Sequence, residues 1–109
     1  MRSSNPRPLL ATMEAARRQI HQHLELVHRQ IAGRAERLTV TQKAKSRSHR
    51  RGRSNWTPSD EELFREHLDR LTFERRREIE ALSRKLARQD QALAAFREKL
   101  GENVGRVAA

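Results

Sequence analysis

The sequence predicts an all-α fold, and three observations carry that prediction. Apolar residues recur at spacings of three, four and seven through both halves of the chain, the period of an amphipathic helix. No Pro or Gly falls between residues 9 and 32 or between 59 and 100. The densest β-branched run, "LTVTQ" at 38–42, is too short and too isolated to found a sheet. With 35% charged residues, one Trp, three Phe and no Tyr in 109 residues, little is available to fill a thick core. The predicted architecture is a long amphipathic N-terminal helix, a basic flexible connector, and a C-terminal helical unit of two or three helices with coiled-coil character.

Residues 1–8 read as an extended tail because Pro6 and Pro8 restrict the backbone. The first helix is expected over 9–38, with Leu10, Met13, Ile20, Leu24, Val27, Ile31 and Leu38 along one stripe and Gly33 a weak point near its end. Arg17 and Arg34 interrupt an otherwise heptad-like seam, while Arg18, Gln22, Arg29 and Gln30 lie off it. Residues 39–55 then read as a basic linker, since 42–55 keep only Ala44 as an apolar residue.

Helical signals resume at 56–101. Thr57 is an N-cap, Pro58 suits the first helical position, and Asp60 stands three residues after the cap, with Glu61 and Glu62 adding to the acidic first turn. Leu63, Phe64, Leu68 and Leu71 define the buried face of that helix. The apolar phase changes between Thr72 and Arg77, which predicts a bend. Beyond it Ile79, Leu82, Leu86, Leu93, Phe96 and Leu100 form a second seam, with Gln89 in the vacant position. Gly101 supplies a C-terminal stop, and 102–109 reads as a flexible tail.

Charge is divided unevenly. Residues 1–55 hold 13 Lys/Arg against three acids, whereas 56–109 hold 11 against 11, so the whole net charge of +10 lies in the first half. Its densest part is "KAKSRSHRRGR", with Lys43, Lys45, Arg47, Arg50, Arg51 and Arg53 in eleven residues and no acid. Such a run neutralises phosphates without reading sequence, so the expected partner is DNA or RNA bound through its backbone. The alternative is a coiled-coil adaptor or assembly subunit whose basic linker meets an acidic protein. The thin apolar stripes predict self-association or a helical protein partner. Its interface would take Met13, Ile20, Leu24, Val27, Ile31, Ile79, Leu82, Leu86, Leu93, Phe96 and Leu100.

Trp56 follows the basic run directly. A lone Trp beside a helix start usually packs back on that helix, so Trp56 is assigned to the core of the second unit, and base stacking is the lesser reading. His21, Glu25 and His28 share a helical face, but that face flanks the apolar stripe, where polar residues belong in any case; no metal or cofactor is expected. Cys is absent, and no Gly-rich phosphate loop, HExxH motif or isolated carboxylate pair is present, so an enzyme is not predicted. No apolar run reaches the ~20 residues of a membrane span, and the N-terminus has no secretory apolar segment. The expected setting is cytoplasmic and nucleoid-associated in a bacterium, or nuclear in a eukaryote or virus.

"NWTPSDEELFREHL" resembles the opening helix of a Myb/SANT-type domain, and "IEALSRKLARQDQALAAFREKLG" is similar to the later helices of such domains or of short helix-turn-helix modules. The resemblance covers 56–101 and implies a turn at Ala87 to Asp90. It also implies a recognition helix for which Gln89, Gln91 and Arg97 are the candidate contacts, with Ala94 and Ala95 on or near it. The family's second Trp has no counterpart here, and Ala87 stands where Gly is usual. The same residues also read as one unbroken heptad segment.

Overall fold

A computed structural model describes residues 6–46 and 55–108. Those residues form three α-helices and no strand: α1 (Pro6–Ser46), α2 (Pro58–Glu74) and α3 (Arg76–Ala108). The all-α prediction holds. No helix among the described residues is long and apolar enough to cross a membrane.

Helix α1 is longer than the sequence pattern suggested at both ends. It starts at Pro6 rather than near Leu9, because the N–H groups of a first turn have no intrahelical partner and proline loses nothing there. It continues past Leu38 to Ser46, so "LTVTQ" is helix and not an exit. The Thr39 hydroxyl donates to the Ala35 carbonyl at 2.8 Å, which satisfies a fully buried polar group inside the helix. Residues from 39 to 46 therefore belong to α1 and not to a linker.

The chain divides into two compact units, one joining the start of α1 up to Leu24 with α3 from Glu80 onward, the other spanning Glu25–Ile79. In the second unit a row of side chains spaced by four, Val27, Ile31, Ala35, Thr39 and Lys43, is buried along α1. This is the i±4n ridge of a helix surface. Leu71 and Asp60 are the buried residues of α2. The polar links between 42 and 67 and between 30 and 75 show that α1 and α2 run antiparallel within this unit.

The bend expected between Thr72 and Arg77 is a single residue, Arg75. Its φ of −104° and ψ of 14° take it out of the helix, yet its N–H reaches the Leu71 carbonyl at 3.1 Å and its own carbonyl accepts from Ile79 at 3.1 Å. Its guanidinium binds Gln30 at 3.0 Å and Glu78 at 2.8–2.9 Å. The C-terminal part thus has two helices.

In the first unit Leu82 and Leu93 are buried, and Leu86, Gln89, Phe96 and Leu100 are half-buried on the same seam of α3. Arg17 pairs with Asp90, and Arg97 with Glu14 at 2.8 Å, so α1 and α3 are also antiparallel here. Helix α3 passes through Gly101 without stopping and its backbone reaches Ala108, in place of the expected tail. It is equally unbroken at Ala87–Asp90, where the helix-turn-helix resemblance placed a turn; the continuous seam leaves no break in the buried face at which a turn would form.

The seam assigned to an oligomer interface is partly used within one chain. Val27, Ile31, Leu82 and Leu93 are buried by their own chain. Met13, Ile20, Leu24, Ile79, Leu86, Phe96 and Leu100 are half-buried.

Candidate nucleic-acid interface

No buried side-chain N or O atom among the described residues lacks a hydrogen-bond partner, those at the start of α2 included. Thr57 is extended (φ −104°, ψ 166°), its backbone N–H donates to Asp60 Oδ2 at 2.8 Å, and its Oγ1 accepts from the Asp60 N–H at 3.2 Å. This capping box satisfies two otherwise orphaned donors reciprocally. The cap identified from the sequence is formed.

Lys43 reaches this cap from α1. Its Nζ donates to Asp60 Oδ2 at 2.7 Å, with both side chains only 8% exposed, and also donates to the Asn55 carbonyl. The Lys43 ammonium and then the Thr57 N–H hold the Asp60 carboxyl below the usual carboxylate range, at about 2, against the opposing effect of burial. Lys43 also lies 5.9 Å from the centroid of the Trp56 ring. The basic run therefore does not begin where the sequence placed it: Lys43, assigned to phosphate contact, is committed to the fold. Lys45, two residues on and in the last turn of α1, is exposed. Arg47, Arg50, Arg51 and Arg53 lie outside the described residues.

Trp56 departs from its expected burial. Its ring meets Phe64 edge-on, with centroids 6.2 Å apart at 71°, which is the packing the sequence suggested. Its Nε1–H, however, donates to Glu61 Oε1 at 3.0 Å in the first turn of α2, and 46% of the residue stays exposed. Glu61 Oε2 is in turn bound by Arg65 Nε at 3.1 Å. The bond to this half-buried first-turn carboxylate holds the indole at the surface end of α2 rather than in its core.

The candidate recognition residues Gln89, Gln91 and Arg97 all lie on α3. Gln89 is half-buried on the seam, Gln91 is exposed, and Arg97 is exposed but paired with Glu14. Along the adjoining cleft, of about 500 Å³, Arg17 pairs with Asp90 and Arg97 with Glu14, and Arg18 also lines it. No group of three His, Cys, Asp or Glu among the described residues is arranged to hold a metal ion.

No protein-family model, curated protein or solved structure matches this chain.

Proposed function

We propose that the protein is a small, non-catalytic nucleic-acid-binding accessory or regulatory protein that holds DNA or RNA through the phosphate backbone. One observation carries the reading. Lys43 ties the end of α1 to Asn55 and Asp60, so both ends of the acid-free stretch are anchored at one place on a helical scaffold. Between those anchors the sequence contains Lys45, Arg47, Arg50, Arg51 and Arg53 and no acid. Five cations within nine residues of sequence give affinity that depends on charge and salt, with arginine suited to bidentate phosphate contact. The half-buried seam residues Met13, Ile20, Leu86, Phe96 and Leu100 offer a surface for self-association.

The test is a titration of the full chain with DNA and RNA at low and moderate salt. A second protein carries Ala at Lys45, Arg47, Arg50, Arg51 and Arg53. Binding that weakens steeply with salt, and is lost in the variant, supports the reading. No binding of the parent protein at low salt overturns it. Binding to polyglutamate but not to nucleic acid would put the adaptor reading, with an acidic protein partner, in its place. Sedimentation of the same samples checks self-association, which a strict monomer would refute.

A further inference from the structure

We infer that Trp56 is a stacking platform for an unpaired base, so that the preferred ligand is single-stranded rather than duplex nucleic acid. This inference rests on the nucleic-acid reading above and adds the class of ligand and the residue that selects it.

Trp56 has the three properties such a platform needs. It is available, with 46% of the residue exposed. It is held still by the Glu61 hydrogen bond and the Phe64 edge contact, so little side-chain freedom remains to be lost when a base arrives. In the sequence it also stands at the end of the basic run: between Glu36 and Asp60 the chain has seven Lys/Arg and no acid, and Trp56 lies inside that interval. The nearest acids are already engaged, Asp60 by Lys43 and Glu61 by Arg65. A base stacks on any aromatic face, whereas the bases of an intact duplex present no free face to a side chain.

Phe73 provides the contrast within the same unit. It is more exposed, at 62%, but Arg76 stacks on its ring at 3.9 Å, closer than the 5.9 Å between Lys43 and the Trp56 ring, and it lies 20 residues beyond Arg53. Exposure alone therefore does not single out Trp56; its place three residues after Arg53, at the end of the basic run, does.

Because the chain has one Trp, its emission reports this site alone. The experiment adds oligothymidine, and separately a blunt duplex of equal length, to the full protein while following Trp56 fluorescence and affinity. Expected results are strong quenching by the single strand, weaker quenching by the duplex, and a loss of roughly 5- to 150-fold in single-strand affinity for Trp56→Ala. The salt slope of that variant stays the same, since a stacked base releases no counterion. Trp56→Phe keeps a π-face and retains most of the affinity; circular dichroism checks that both variants fold. Single-strand binding without quenching, or an affinity unchanged in folded Trp56→Ala, overturns the inference and leaves the phosphate-contact reading standing. Equal quenching by strand and duplex also overturns it. Absence of any binding at low salt overturns both.

Discussion

The Lys43–Asp60 pair makes a prediction that sequence reading alone would get backwards. Six cations lie in residues 43–53, and charge counting treats them as equivalent. In the structure Lys43 is buried against Asp60 and Asn55, while Lys45 is exposed. On a single strand each phosphate contact adds about 0.7 to the slope of log affinity against log salt, so five contacts give about −3.5 and a loss of roughly 130-fold between 50 and 200 mM salt. Lys45→Gln should flatten that slope by about 0.7. Lys43→Gln should leave it unchanged, while lowering the melting temperature because Asp60 loses its buried partner. The assay is fluorescence anisotropy of a labelled oligonucleotide at several salt concentrations, with thermal melts of the same proteins. Equal flattening by both substitutions, with no change in melting, would show Lys43 in contact with phosphate and refute the argument.

Acid should weaken the α2 cap. The Asp60 carboxyl titrates at about 2 in the folded chain against an ordinary 3.8, so its stabilising contribution is complete above about pH 4 and is lost as pH falls through 2. Circular dichroism between pH 5 and 1.5 should show that loss in the parent protein and not in Asp60→Asn. Gly33 lies inside α1, where an added Cβ would meet only the far end of the Arg37 side chain at 3.3 Å. Gly33→Ala should therefore raise stability by about 0.5–1 kcal/mol in a urea titration. Leu93 is one of few fully buried side chains, and Leu93→Ala should cost about 2–5 kcal/mol by the same measurement.

Much of this fold was legible because its signals are local. Thr57, Pro58 and Asp60 form a cap from side chains within one turn, and the seam of α3 follows from Leu82, Leu93 and their neighbours at heptad spacing. The end of α1 was not legible for a physical reason. Its buried row continues through Ala35, Thr39 and Lys43, and none of the three marks a core by its polarity. Ala35 is small, Thr39 hides its hydroxyl on a carbonyl four residues back, and Lys43 needs a carboxylate 17 positions away that pattern reading does not connect to it. Spacing was the available clue, since 27, 31, 35, 39 and 43 step by four without a break. Gly101 misled in the opposite way. A glycine past a seam often ends a helix, but nothing lies within 4 Å of its Cβ position, and no left-handed backbone there calls for a glycine.

The division of labour between Lys43 and Trp56 has a consequence for how ligand and fold depend on each other. A ligand stabilises a protein only as far as it prefers the folded chain to the unfolded one. The basic run remains basic when the chain unfolds, and unfolding frees Lys43, so residues 43–53 offer six cations unfolded and five folded. Electrostatics alone therefore favours binding to the unfolded chain, most strongly at low salt. The Trp56 platform works the other way, because Glu61 and Phe64 hold the ring in place only when α2 is formed. One cation of difference shifts the preference toward the folded chain by roughly 2.6-fold as salt rises from 50 to 200 mM, so the gain in melting temperature from saturating oligothymidine should grow with salt. In Trp56→Ala only the electrostatic preference is left, and the same ligand should give no gain or a decrease. An equal rise in melting temperature for the two proteins would mean that the folded state offers the strand something other than this ring.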